Sequence, residues 1–139
     1  MSTVIDAARA ALAAEHAAVY GYGVVGGRVA VGRRAEALQC LQAHQARRDA
    51  LRRTVADLGG APVNAAAAYE LPFAVRDPEA AGRFAVFLEE RVAGAHGDVV
   101  RLAIGGIRRD AAAAMRDAAV RAVRWRGAST PFPGLAERA

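Results

Sequence analysis

Apolar side chains recur every three or four positions along most of this chain, and polar side chains fill the positions between them. This spacing is typical of helices that bury one face and expose the other. Four segments follow it, at about 3–31, 34–58, 78–104 and 107–126. No strand-like segment from which a sheet could be built is found, so the pattern predicts an all-α fold.

Recognisable start and stop signals bound the predicted helices. Thr3 followed by Asp6 resembles a capping box at the start of the first helix, with Asp in place of the usual Glu. Residues 77–79, DPE, provide an N-cap, a proline at the first helical position and an acid in the first turn of the third helix. Glycine pairs at 59–60 and 105–106 are expected to end the second and third helices.

The connector at 60–77 lacks helical periodicity and separates two pairs of helices. The second helix, at about 25 residues, would be about 37 Å long, whereas a connector of this length can stretch to about 50 Å. The connector can therefore cross the whole bundle. We expect residues 1–127 to form one four-helix domain, with two antiparallel hairpins joined by this long crossover. Two prolines predict an irregular tail at 128–139.

Charge and cysteine content narrow the classes of partner. All 19 basic residues are arginine, and they are scattered among 14 acidic residues, so the net charge of +5 includes no basic run. Nucleic-acid binding is therefore not expected.

Charged residues interrupt the first apolar segment too early for a signal peptide or a membrane span. Cys40 is the single cysteine, which excludes an intramolecular disulfide and predicts a cytoplasmic protein.

The segment GYGVVG at 21–26 has the spelling of a dinucleotide-binding fingerprint. That motif needs a strand before it and a helix that begins after it, whereas a helical pattern precedes it here. We therefore interpret its glycines as sites of close helix packing, with Gly23 and Gly26 on the face that meets a neighbouring helix.

When the residues of each predicted helix are arranged at about 100° per residue, few polar side chains fall on its apolar face. Glu15 and His16 lie on the face of the first helix, and His44 and Arg48 lie on that of the second. Glu89 borders the face of the third helix. The register of the hairpins brings these five residues to the same depth, where a buried charge has to be paired or bound to a metal.

Three further positions complete this assignment. Arg47 lies on the flank of the second apolar face, near the predicted cluster. His96 lies on the flank of the third helix and is expected to be solvated. The middle of the fourth helix provides alanines and no inward-facing ligand.

Several segments resemble one known family: EHAAVYGYG, HQARRDAL, YELPF, and the closing WRG with FPG. They are similar to the actinobacterial ferritin-like domain family of unknown function, over nearly the whole chain. The resemblance implies a ferritin-like four-helix bundle with no established activity.

A working di-iron bundle has one Glu on each of two helices and a Glu-x-x-His motif on each of the other two. Glu15 and Glu89 resemble the single carboxylates, but no Glu precedes any histidine by three residues.

The favoured hypothesis is a non-enzymatic protein without a cofactor. In it, Glu15 and Glu89 pair with Arg48 and Arg47, and with His44 they form a buried network that fixes the register of the helices. Its role would be structural or one of interaction, through arginine-rich helix faces or residues 125–132, which would permit a homodimer.

The alternative is a reduced metal site for Fe, Mn or Zn, in a metal-storage or oxidoreductase-like protein. Its ligands would be Glu15, His16, His44 and Glu89, which are nitrogen and carboxylate donors that suit these ions. A guanidinium at Arg48 would repel such an ion, so this alternative is the less favoured one.

Overall fold

The computed structural model describes residues 3–127, and within them the chain forms four long helices and no strand. Their bounds are Val4–Gly26 for α1, Arg34–Asp57 for α2, Pro78–Leu102 for α3 and Gly105–Arg126 for α4. A single 3-10 turn at Val31–Arg33 precedes α2. The prediction of an all-α four-helix bundle is confirmed. The tail predicted at 128–139 lies outside the described residues.

The predicted caps form as expected, while three helix ends differ from the prediction by two residues or more, one of them the end of α3 at Leu102 instead of near residue 104. Thr3 Oγ1 accepts from the Asp6 backbone N–H at 3.1 Å, and Asp6 Oδ2 accepts from the Thr3 N–H at 3.1 Å. α1 ends at Gly26 instead of near residue 31. α4 begins at Gly105, two residues earlier than predicted, because this glycine adopts a φ of +61° and starts the helix instead of ending the previous one.

Two core clusters define the directions of the helices. One cluster joins the start of α1 and of α4 to the ends of α2 and α3, through residues such as Leu12, Val55, Val99 and Ala111. The other joins the end of α1 and of α4 to the starts of α2 and α3. α1 and α4 therefore run in one direction and α2 and α3 in the other, so the segment between α2 and α3 crosses the length of the bundle.

Small side chains allow α1 to approach its neighbours closely. Ala8, Ala11 and Ala18 are fully buried on its inner face. α1 packs against both α2 and α3, and α3 also packs against α4, whereas α2 and α4 make few contacts with each other. Within residues 3–127, no helix combines the length and apolar character that a membrane crossing requires.

The glycine at the closest helix contact is Gly21, and not the predicted pair. A Cβ atom added at Gly21 would lie 2.4 Å from Leu88 Cδ1 of α3. No atom lies within 4 Å of a Cβ added at Gly23 or Gly26. The prediction that these two glycines meet a neighbouring helix is wrong, because they lie on the side of α1 that faces away from α3.

Alanine substitution at the two positions should have opposite effects on stability. Gly23→Ala is expected to raise the free energy of unfolding by about 0.5 to 1 kcal/mol, because alanine favours helix and no atom opposes the new methyl group. Gly21→Ala should gain the same propensity but lose about 1 to 3 kcal/mol through overpacking against buried Leu88. Urea unfolding of both variants measures this difference, and equal stabilisation would show that the α1–α3 contact is loose.

Candidate functional site

Within residues 3–127, five carboxylate and imidazole side chains are buried near the middle of the bundle. They are Glu15, His16, His44, Glu89 and His96, each at most 5% exposed. Four of them, all except His16, join Tyr22 and Arg121 in one hydrogen-bonded network. Each of the four helices contributes at least one side chain, so the network ties the whole bundle together at a single depth.

His44 of α2 lies at the centre of this network. Its Nδ1 is 2.5 Å from Glu15 Oε1, and its Nε2 is 2.9 Å from Glu89 Oε2. A neutral imidazole has only one N–H, whereas both nitrogens here face carboxylate oxygens. His44 is therefore an imidazolium that donates one hydrogen bond to α1 and another to α3.

Glu89 Oε2 is the most heavily shared acceptor. Besides His44, it accepts from the Tyr22 hydroxyl and from Arg121 Nε at 3.1 Å. The Tyr22 ring also stacks against the His44 ring, with centroids 5.4 Å apart and an interplanar angle of 21°. Three donors from three helices thus hold one carboxylate oxygen in place.

The second carboxylate has a different set of partners. Glu15 Oε1 accepts from His44, and Glu15 Oε2 accepts from His96 Nε2 at 3.0 Å. Two carboxylates are thereby balanced by two cations, His44 and Arg121. Because a buried charge is tolerated only when it is paired, this balance lets Glu15, His44 and Glu89 remain in the core, with the partly buried Arg121 beside them.

The surroundings shift the pKa values of these groups so that His44 stays protonated, Glu15 stays ionised and Tyr22 keeps its proton. Burial alone would lower the pKa of His44, but the hydrogen bonds to Glu15 and Glu89 outweigh it and raise this pKa to about 9. Burial alone would raise the pKa of Glu15, but the hydrogen bonds from His44 and His96 leave it below its usual value. Burial and the neighbouring Glu89 carboxylate raise the pKa of Tyr22, so its hydroxyl keeps its proton and donates it.

The structure brings together three of the predicted site residues, Glu15, His44 and Glu89. It also buries His16, but the Nε2 of this residue lies 2.8 Å from the Val63 carbonyl oxygen, to which it donates. His16 therefore holds the crossover against α1 and does not face His44.

The predicted roles of two arginines are wrong. Arg48 Nε lies 3.0 Å from Asp49 Oδ1 at the surface, and Arg47 is directed toward Asp117 at 3.4 Å. Both side chains keep contact with water, which avoids the cost of desolvating a guanidinium. Arg121 of α4 supplies the cation that was expected from α2.

His96, Arg121 and Tyr22 were not predicted to belong to the site. His96 was expected to be solvated, but it is 2% exposed. A signal was present, since His96 follows Glu89 by seven residues and so lies on the same face two turns later. Arg121 adjoins the buried alanines Ala118 and Ala122, whose small size leaves room for its side chain to reach inward.

Two polar atoms of the network have no partner within residues 3–127, namely Glu89 Oε1 and His96 Nδ1. In the same part of the chain, no three His, Cys, Asp or Glu side chains are arranged to hold a metal ion. The candidate ligands instead bond to one another, and Arg121 adds a positive charge beside Glu89.

Comparison with known proteins agrees with the architecture. A family model matches residues 7–137, which is nearly the whole chain. The chain belongs to the domain of unknown function family DUF4439. A search of the curated proteins finds no match.

A solved structure is similar to this DUF4439 chain. It is the crystal structure of a conserved hypothetical protein from Mycobacterium tuberculosis, with a TM-score of 0.84 and 36% sequence identity. The alignment covers 88% of this chain and 95% of that one. The resemblance to a family of unknown function is thus confirmed at the level of DUF4439.

The stability of this DUF4439 chain should fall as the pH rises through the pKa of folded His44. The folded pKa of about 9 exceeds the ordinary value of 6.5, so folding favours the protonated form. This stabilisation, of the order of a few kcal/mol, is complete below the lower value and is lost as the pH rises through the higher one. Urea unfolding at a series of pH values measures it.

The matched variant for this measurement is His44→Gln, which removes the titrating ring. The difference in unfolding free energy between the two proteins isolates His44 from other groups, including Cys40, whose pKa burial also raises. A parallel decline in both proteins would contradict the assignment of His44 as an imidazolium.

Arg121→Ala should destabilise the bundle far more than Arg48→Ala. The first change leaves the Glu89 carboxylate buried without its guanidinium, which costs about 3 kcal/mol. The second removes a surface pair and should change the free energy of unfolding by less than about 0.5 kcal/mol. Thermal and urea unfolding compare the two, and equal losses would show that Arg121 does not neutralise Glu89.

Proposed function

We propose that this chain is a ferritin-like bundle of the actinobacterial type in which a charge network replaces the di-iron centre, and that its role is non-enzymatic. It would act as a structural or interaction protein. The helix directions support this proposal, because two hairpins joined by one long crossover are the arrangement of ferritin-like folds.

The observation that carries the proposal is the position of His44. Its two nitrogens donate to Glu15 and Glu89, the two residues that resemble the single carboxylates of a di-iron bundle. The imidazolium lies between the two carboxylates and neutralises them. A metal ion would bridge the same two carboxylates. Arg121 adds a second cation, and a guanidinium repels a metal ion.

The remaining di-iron ligands do not fit either. The position three residues before His44 is occupied by Leu41, and the position three residues before Arg121 is occupied by Ala118. Neither residue can bridge or chelate iron, so the two Glu-x-x-His motifs of a working centre have no counterpart.

The alternative, a reduced Fe, Mn or Zn site built from Glu15, His16, His44 and Glu89, has weaker support. His16 bonds to the Val63 carbonyl, and both nitrogens of His44 are engaged with carboxylates. A metal would have to displace the proton of His44 and compete with Arg121. Metal binding would therefore have to disrupt two existing charge pairs.

A cytoplasmic location and a homodimer belong to the same proposal. The single cysteine, Cys40, is free and buried, as is usual in a reducing compartment. Val120 and Val123 of α4 are 49% and 45% exposed and provide an apolar patch for a second copy. Trp125, by contrast, is buried, so it is unsuited to a partner contact.

Metal analysis of protein purified without added metal tests the proposal. We expect Fe, Mn and Zn all well below one ion per chain, because the donor atoms are already paired. One equivalent of any of these ions, lost on His44→Ala or Glu89→Gln, would overturn the charge-network proposal in favour of the metal site.

A gain-of-ligand variant provides the positive control. Combining Leu41→Glu, Ala118→Glu and Arg121→His would supply both missing motifs on the same bundle. Iron uptake by this variant and not by the natural chain would show that the ligand set, and not the architecture, prevents metal binding. The result for the natural chain stands by itself if the variant does not fold.

A further inference from the structure

A cleft of about 220 Å³ lies between the start of α2 and the end of α4. Gln39, Cys40 and Ala43 of α2 line one side of it, and Arg121 and Arg124 of α4 line the other. The two helices make few mutual contacts, so side chains of the bundle do not close the space between them. Because both residues of the α4 side are arginines, the cleft presents positive charge to a molecule that enters it.

Arg121 has donors left over after its bond to the charge network. Its Nε donates to Glu89 Oε2 at 3.1 Å, whereas its Nη1 and Nη2 make no hydrogen bond within residues 3–127. The side chain is 15% exposed and lines the cleft, so it can be reached from that side. A guanidinium held through Nε keeps the edge formed by Nη1 and Nη2, and this edge can bind two oxygen atoms side by side.

Arg124 adds a second guanidinium one turn later on the same helix. It is exposed, and its side chain makes no hydrogen bond or ion pair within residues 3–127; only its backbone carbonyl is bonded, to Arg33 Nη2 and to the Gly127 N–H. Residues three apart on a helix are neighbours, and like charges at such a spacing repel each other. An anion between Arg121 and Arg124 would replace this repulsion with two attractions.

The one carboxylate that lines the cleft is already paired. Glu36 Oε1 accepts from Arg33 Nε at 2.9 Å, and Glu36 Oε2 accepts from Arg33 Nη2 at 3.1 Å. This bidentate pair offsets the negative charge of Glu36 and leaves the charge of Arg124 without a counter-ion. The whole of α4 carries six arginines and two aspartates, a net charge of +4, which attracts anions to this side of the bundle.

We propose that this cleft binds a tetrahedral oxyanion, the group present in phosphate and its monoesters. Two of its oxygens would accept from the free edge of Arg121, and the others would accept from Arg124 and from the side-chain amide of Gln39. A carboxylate has only two oxygens, which one guanidinium already satisfies, so it would leave the other donors unused.

The size of the cleft agrees with this ligand. At about 30 Å³ for each water molecule, its volume corresponds to about seven waters, which admits a phosphate group with a short organic remainder. This site goes beyond the proposed function, since it uses donors that the charge network leaves over and needs no metal.

Inorganic phosphate tests the site in the full chain, by titration calorimetry and nuclear magnetic resonance. Ionic strength is held constant, because salt screens exposed charges. We expect saturable binding in the millimolar range, with shifts of the Arg121 Nε–H and the Gln39 side-chain amide resonances. Acetate should bind at least about tenfold more weakly. Equal binding of acetate, or the absence of saturation with phosphate, would overturn the proposal.

Glycerol phosphate distinguishes a monoester from free phosphate. If it binds more tightly than inorganic phosphate, the cleft also accommodates the organic part, and the ligand is a monoester. If it binds equally or more weakly, the ligand is the free ion. Both results support a tetrahedral oxyanion, whereas failure of both probes to bind contradicts it.

Arg124→Gln and Arg116→Gln provide a matched pair of variants. Each removes one exposed arginine of α4 that has no ion pair within residues 3–127, but only Arg124 lines the cleft. We expect Arg124→Gln to weaken phosphate binding about tenfold and Arg116→Gln to leave it unchanged. Equal weakening would reduce the effect to net charge and contradict the site.

A third variant, Ala43→Leu, tests the cleft itself. The larger side chain should fill the space and abolish phosphate binding while both guanidiniums remain in place. Unchanged binding would place the anion outside the cleft and overturn the proposal.

Discussion

Two carboxylates buried at the same depth impose the main constraint on this bundle. Neither Glu15 nor Glu89 can be taken from water without a cation beside it, and His44 satisfies both through its two ring nitrogens. Since these three residues come from three helices, the pairing is complete only in one register. Arg121 adds the fourth helix to the same arrangement. The charge pairs are therefore complementary in this alignment of the helices, while apolar contacts provide most of the stability.

The apolar packing is built to bring those charges within hydrogen-bonding distance. Alanines on the inner face of α1 and the glycine at position 21 shorten the distance to α3, and Tyr22 follows directly to reach Glu89. Larger side chains there would separate α1 from α3 and stretch the bonds between these two helices, from Tyr22 to Glu89 and from His96 to Glu15. The small residues and the short charge contacts thus depend on one another.

Helical periodicity predicted the fold and three of the six side chains in the network, because it reports which residues share a face of a helix. It identified Glu15, His44 and Glu89, which lie on or beside apolar stripes. It misplaced Arg47 and Arg48, since long flexible side chains near a stripe can turn either inward or to water, and only the competing partner decides. Arg121 was missed because its neighbours are alanines. Their small size lets the Arg121 side chain reach inward, but an alanine in the sequence does not indicate a polar site. His96 shared a face with Glu89, but its partner on α1 could not be read from α3 alone.

The distribution of the four charges over the hairpins has a consequence for assembly. The α1–α2 hairpin carries Glu15 and His44, and the α3–α4 hairpin carries Glu89 and Arg121. Each hairpin thus contributes one anion and one cation to the network, and these two charges cancel before the hairpins dock. Docking then shares the imidazolium between the halves without moving net charge into the interior. Such a division suits a chain whose two halves are joined only by a long irregular segment, because either hairpin can form first without an unbalanced charge in its core.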